Sequence, residues 1–389
     1  MSVSAASARY ASAAAPIPAH RLRRGATNTG RWKSIRVPSK PHVDHPTKQK
    51  RFRRAASAAA PSSTSDSGAV PAQSKVCVIT GANTGLGFIS AGEIARKPGY
   101  RVVLACRNLS KAGKAADSIF DATGYTVDVM QLDLSELASV DAFVQEFTGK
   151  YDRCDVLMNN AGVMALPERS LTPNGIETQM GTNHMGHFYL TSKMMPTILS
   201  TPGRPRIVNL TSVAHEFGHV DFENINSDGP LGYLGAGWLT YGRTKLANMY
   251  FTYELHRRLR EFGGDGNRID VNCVHPGVVD TELPRSLSVN FYPILKTIGG
   301  LITPEEGARG QIDVATGPKY EGISGKYVAE QSGPSNPGGA KGTFAVAESS
   351  SYSYDVDAAA RLWKRSKAMT GAAWDAIGEG ALPSGQAKW

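Results

Sequence analysis

The octapeptide Thr80-Gly81-Ala82-Asn83-Thr84-Gly85-Leu86-Gly87 directly follows an apolar run at 75–79, so a buried strand opens through three glycines onto a helix. Glycine lets the backbone turn tightly and come close to a diphosphate. The helix that starts there presents unpaired N–H groups and the positive end of its dipole. Such a turn suits a dinucleotide; taken alone, it also fits an ordinary strand-to-helix connection. Strand-like runs recur at 101–106, 126–133 and 155–161, separated by helical periodicity. That alternation predicts an α/β fold, a doubly wound parallel sheet of Rossmann type.

With 389 residues and 41% hydrophobic content, the chain can supply one large domain of about 250–300 residues plus appendages, and no second domain is required. The net charge of +9 is unevenly placed. Residues 1–74 hold 13 Lys/Arg against 2 Asp/Glu, whereas residues 75–389 hold 30 against 32, a balance of −2. A nearly neutral folded part gives no basic patch for nucleic acid. The leader is rich in Ala, Ser and Arg, poor in acids and interrupted by prolines, a composition that predicts an organelle transit peptide followed by a flexible linker to about Ser74. Plastid is the favoured compartment and mitochondrion the alternative. Residues 75–389 then form the folded domain.

Four cysteines (Cys77, Cys106, Cys154, Cys273) stand singly, as buried small hydrophobes do. No apolar run reaches the ~18–20 residues of a bilayer span. The stretch 283–302 is apolar but broken by Arg285, Asn290 and Lys296, which leaves room for peripheral membrane association.

Tyr241 and Lys245 stand four apart in a segment, 238–259, with apolar residues at helical spacing, so both side chains leave one helix face. An ammonium beside a phenol favours the phenolate, and the pair predicts a Tyr pKa lowered from about 10 toward working pH, as a general acid/base needs. Composition alone supplies about 0.6 such Tyr-x-x-x-Lys matches by chance, so order along the chain carries the weight. The pair follows the glycine turn, then Asn159-Asn160-Ala161-Gly162 at the end of the fourth strand, then Ser212 at the end of a fifth (206–211). His215-Glu216-Phe217-Gly218-His219 matches a zinc-protease pattern, but Gly218 lies inside the would-be helix and no third ligand is placed, so no metal site is predicted.

From residue 75 to about 371 the chain resembles the short-chain dehydrogenase/reductase family. The resemblance rests on the motifs at 80–87 and 159–162, Leu132-Asp133-Leu134, Asn183-His184-Met185-Gly186-His187-Phe188 and Val208-Asn209-Leu210-Thr211-Ser212. It continues through the Tyr-x-x-x-Lys helix to Pro276-Gly277 with Thr281. It implies that Tyr241 exchanges a proton with substrate, Ser212 hydrogen-bonds the substrate oxygen, Lys245 holds the nicotinamide ribose and Asn183 supports a water-linked proton path to that lysine. It also implies that Gly81, Asn83, Thr84, Gly85, Leu86 and Gly87 cradle the diphosphate, Asp133 faces the adenine, Asn160, Ala161 and Gly162 line the cleft, and Thr281 approaches the carboxamide.

Arg107, at the end of the second strand, and nearby Lys111 predict NADPH/NADP+ rather than NAD, because a cation there meets a 2′-phosphate whereas a carboxylate would meet ribose hydroxyls. Gly-Thr-Asn-His-Met-Gly-His-Phe and Tyr-Gly-Arg-Thr-Lys-Leu-Ala-Asn resemble the retinol-dehydrogenase-like branch, and also light-dependent protochlorophyllide reductases, which have a cysteine where this chain has Val278. The implied activity is hydride transfer to or from the carbonyl or alcohol of a hydrophobic small molecule. Protochlorophyllide reduction and a non-catalytic NADP(H)-sensing scaffold are the alternatives. Residues 331–354, rich in Gly, Pro and Ser, read as a surface loop, and 355–369 as a C-terminal helix.

Overall fold

The computed structural model describes residues 74–229, 233, 237–279, 301–332 and 340–378. Thr281, the leader and most of the apolar stretch 283–302 lie outside the described residues. The strands are β1 (Lys75–Thr80), β2 (Tyr100–Cys106), β3 (Asp128–Gln131), β4 (Val156–Asn159), β5 (Arg206–Leu210), β6 (Asp270–His275), β7 (Lys326–Glu330) and β8 (Phe344–Ala347). They form one sheet in the order β3-β2-β1-β4-β5-β6-β7-β8, parallel except for antiparallel β8. The fold is therefore the expected doubly wound Rossmann sheet with one antiparallel edge strand.

The helices are α1 (Gly85–Ala95), α2 (Leu109–Thr123), α3 (Leu137–Lys150), α4 (Gly186–Ser200), α5 (Trp238–Phe262), α6 (Pro304–Thr316) and α7 (Val356–Thr370). A strand covered by helices on both faces must be apolar throughout, and β1 is buried at every position after Lys75. Its side chains alternate: Val76 and Val78 join Phe143, Phe147 and Phe188 in one core cluster, and Cys77 and Ile79 join Ile94, Leu104 and Ile119 in another. The four cysteines are buried and unbridged. Helix starts carry their own signals: Asn108 caps the N-terminus of α2 through Lys111 N at 2.9 Å, and Thr303 and Glu306 form a capping box at the start of α6.

Residues 331–354 depart from the expected loop. Phe344–Ala347 pairs with β7, Phe344 facing inward while Val346 stays 47% exposed. Four residues flanked by glycine and serine leave too short an alternation to mark a strand. The strands expected at 126–133 and 155–161 are also shorter, because the chain leaves the ladder to build the turns that follow them. Among the described residues, no helix is long and apolar enough to cross a membrane. The chain reverses direction across the sheet between β1 and β4, and the crevice beyond their carboxyl ends is where open α/β sheets bind ligands.

Candidate active site

The turn after β1 bends at Gly81 (φ +66°) and Gly85 (φ +58°), both in the left-handed region. At Gly87 the constraint is space: a Cβ would lie 2.5 Å from Asn160 Nδ2 and 2.9 Å from the Gly81 carbonyl oxygen. Above Gly85 there is open room. Thr84, the N-cap of α1, is extended and gives no side-chain cap, and no acidic residue stands in the first turn. An uncapped helix end with open space beside it has the donors and the room that the diphosphate of a dinucleotide needs. Gly87→Ala should weaken dinucleotide affinity by about 100-fold in a fluorescence titration, about 3 kcal/mol, because one obstructing group is the turn's own carbonyl and the other is the Asn160 amide that fastens the next loop to it. An unchanged affinity would move the diphosphate elsewhere.

The loop after β4 is fastened to this turn. Thr80 Oγ1 accepts from Asn160 N and Ala161 N, both at 2.9 Å, and Asn160 Nδ2 donates to the Thr80 carbonyl oxygen at 2.7 Å. Gln311 on α6, which no sequence pattern marked, donates to Ser90 Oγ at 2.6 Å and reaches Leu86 O and Asn160 Oδ1 at 3.3 Å. The side chain of Asn160 is thus a brace between β1 and α6, with Ala161 and Gly162 half-buried beside it. Asp133 Oδ1 accepts from Ser135 N and Oγ at 3.0 and 2.6 Å, which fixes its carboxylate at the end of the turn after β3. Arg107 and Lys111 are exposed where β2 passes into α2. No carboxylate among the described residues pairs with either.

Tyr241 and Lys245 leave the same face of α5, one turn apart and both buried. The hydroxyl of Ser212 stands near enough to the Tyr241 phenol to favour its ionised form, so the two groups expected to hold a substrate oxygen lie on the same side of the cleft. The ammonium of Lys245 lies 5.5 Å from the centre of the Tyr241 ring and donates to Leu210 O at 3.2 Å. Burial pushes the phenol up to about 12, with the Ser212 hydroxyl opposing, and burial pushes the lysine down to about 8. This corrects the expected lowering of the Tyr pKa: loss of water around the phenolate outweighs the neighbouring cation, which is itself stripped of water.

Asn183 sits in a turn of π-helix, Gly181–Met185, leading into α4. Its Oδ1 accepts from Val163 N at 2.8 Å, and its Nδ2 donates to Val163 O at 2.8 Å and Thr244 Oγ1 at 3.0 Å. Thr244 in turn donates to the Tyr241 carbonyl at 2.8 Å. Asn183 therefore ties the loop after β4 to the helix that carries Tyr241 and Lys245, and a Cβ on Gly162 would stand 3.2 Å from Asn183 Oδ1 and 3.7 Å from Lys245 Nζ. The motif showed Asn183; the bracing by Thr244 and Gln311 depends on contacts distant in sequence and left no local signal.

Of the segment 215–219 only the first three residues are helical, ending a 3-10 turn, Val213–Phe217; Gly218 is extended, so His219 does not lie one helical turn from His215. His215 is buried, donating from Nδ1 to Ser212 O at 2.7 Å and accepting at Nε2 from Ser350 N at 3.3 Å, while His219 is exposed. The turn therefore supports Ser212. Among the described residues, no group of three or more His, Cys, Asp or Glu is placed to hold a metal ion.

A sequence profile of the family described as short chain dehydrogenase matches residues 75–290. The chain belongs to the short-chain dehydrogenases. Retinol dehydrogenase 14 of Mus musculus is 38% identical over 271 residues, 66% of this chain and 78% of that protein. A solved structure of an uncharacterised protein from Mycobacterium Paratuberculosis superposes with a TM-score of 0.60 at 32% identity, covering 78% of this chain and 97% of that one. The 3-ketoacyl-(acyl-carrier-protein) reductase from Brucella melitensis, solved with NADH, gives 0.51 at 25% identity over 66% and 96%. This short-chain dehydrogenase is an oxidoreductase of the nicotinamide-dependent kind, with the retinol dehydrogenases among its similar relatives.

Proposed function

We propose that this chain is an NADP(H)-dependent oxidoreductase that reduces the carbonyl, or oxidises the alcohol, of a hydrophobic small molecule. The carrying observation is the buried Tyr241 and Lys245 one turn apart on α5, with the Ser212 hydroxyl near enough to the phenol to favour its ionised form, at the carboxyl edge of the sheet. A bound dihydronicotinamide supplies the hydride. Ser212 donates a hydrogen bond to the substrate oxygen, and Tyr241 delivers the proton that the developing alkoxide takes up. A phenol held near 12 is fully protonated at neutral pH, the state carbonyl reduction needs, and an alkoxide is basic enough to take its proton. Lys245 and Asn183 hold the ribose side of the cleft, with Asp133 toward the adenine, and Thr281 is assigned to the carboxamide end.

The hydrophobic substrate is supported by Val213, Phe217 and Leu239, which stay 39%, 49% and 49% exposed within a few residues of Ser212 and Tyr241. Apolar side chains left in water beside reacting groups suit a ligand that covers them. A panel of retinoid, tetrapyrrole, quinone and short-chain aldehydes, followed by NADPH oxidation in light and in dark, tests the class. Dark turnover of long apolar carbonyls is expected, and turnover confined to short polar aldehydes would overturn the substrate assignment.

The 2′-phosphate preference is supported by exposed Arg107 and Lys111 at the end of β2. Arg107→Asp should weaken NADPH binding about 100-fold and leave NADH within about threefold, since a carboxylate repels the phosphate and accepts from ribose hydroxyls. Unaltered NADPH affinity would reject the assignment. The composition of residues 1–74 supports plastid import. A fluorescent fusion of that segment should accumulate in plastids, and mitochondrial labelling would reverse the assignment.

A further inference from the structure

His187 joins the diphosphate turn to the Asn183 turn, and the partners of its two ring nitrogens dictate where its proton sits. His187 lies one helical turn after Asn183 and is 2% exposed. Its Nδ1 is 3.0 Å from the Asn183 carbonyl oxygen and its Nε2 is 2.9 Å from Thr80 Oγ1. A carbonyl oxygen only accepts, so Nδ1 carries a proton. Burial, together with the charge of Lys245, pushes the imidazolium down to about 4, so the ring is neutral and Nε2 is bare. The Thr80 hydroxyl, which already accepts from Asn160 N and Ala161 N, has two acceptors in reach of its one hydrogen, Met158 O at 3.4 Å and His187 Nε2 at 2.9 Å, and the shorter contact takes it to Nε2. The hydrogen bonds thus run in one direction, from the loop after β4 through Thr80 and His187 to the Asn183 carbonyl.

We propose that His187 is a positioning residue which, with its proton on Nδ1, locks the diphosphate turn, the loop after β4 and the Asn183 turn into the one arrangement in which dinucleotide and Lys245 meet. Its two halves act on different steps. The Nε2 half holds the Thr80 hydroxyl on Asn160 and Ala161, and so shapes the cleft that binds dinucleotide. The Nδ1 half holds the Asn183 carbonyl, and through Asn183 and Thr244 the helix that presents Tyr241. This inference rests on the proposed assignment of Asn183, Tyr241 and Lys245, but the two fail separately, because dinucleotide affinity and the imidazole tautomer do not depend on what Tyr241 does to substrate.

Asparagine places an amide N–H near the Nδ1 position and glutamine places its terminal amide near Nε2, so H187N and H187Q each retain one half. For H187N, NADPH affinity should fall about tenfold with kcat within about threefold. For H187Q, kcat should fall about tenfold with affinity within about threefold. Thr80→Val should reproduce the H187N loss, the double variant should be no weaker than Thr80→Val alone, and Thr80→Ser should restore affinity. Equal losses in both parameters for the two His187 variants, or no loss in either, would mean mere packing and would overturn the proposal. If the variants do not fold, nitrogen-15 spectra of the imidazole in the native protein decide: protonated Nδ1 with bare Nε2 supports it, and the opposite tautomer overturns it.

Discussion

Tyr241→Phe is expected to lower kcat by about a thousandfold while NADPH affinity stays within about threefold. A positioned proton donor contributes on the order of 10²–10⁴ in rate, and removing one oxygen takes that contribution away without emptying the space the ring fills. The ring has reason to stay: Trp238 stands edge-on to it at 6.2 Å, and Lys245 Nζ lies 5.5 Å from its centre. Ser212 loses the phenol but keeps its backbone partner, Ala214 N at 3.2 Å, so the turn after β5 survives. A loss concentrated in kcat separates this variant from Gly87→Ala, where binding fails first. Turnover within tenfold of the native protein would remove Tyr241 from the proton step and leave the oxidoreductase needing another donor.

What could be read from the chain ahead of its structure divides along a physical line. Elements whose signal is local were legible: the apolar run of β1, the glycine turn, the 3.6-residue spacing that puts Tyr241 and Lys245 on one face. The order of motifs also sufficed to place Ser212 beside Tyr241, because each motif ends a strand and a doubly wound sheet brings strand ends to one edge. Strand β8 was not legible, since its four residues gain their partner only from β7. Gln311 was not, since its three contacts lie more than 150 residues away. The ionisation of Tyr241 was misjudged for a related reason. Sequence spacing reveals a neighbouring charge but not how much water the fold removes, and desolvation is the larger effect here.

The same desolvation makes a prediction about Lys245 that sets stability against activity. Its ammonium is buried without a carboxylate partner among the described residues, and burial lowers its pKa from the ordinary 10.5 to about 8. The folded state therefore sheds the proton first, and between pH 8 and 10.5 the unfolded chain binds more protons, so stability rises with pH across that window. Below pH 8 the fold carries the whole cost of a buried cation, about 3 kcal/mol from a shift of this size. Lys245→Met keeps the length and removes the charge, and Leu210 O retains the Asn248 amide at 3.0 Å. At pH 7 the variant should be more stable by about 1–3 kcal/mol, a few degrees in Tm, with turnover lost by at least about a hundredfold. The stability gap between the two proteins should narrow as pH rises from 8 to 10.5, because the native lysine then becomes neutral as well. Chemical denaturation at pH 7 and pH 10 measures it. A variant less stable than the native protein at pH 7, or a gap independent of pH, would show that Lys245 is better solvated or better paired than its burial implies, and the same result would weaken its assignment as the cation held in reserve for the nicotinamide ribose.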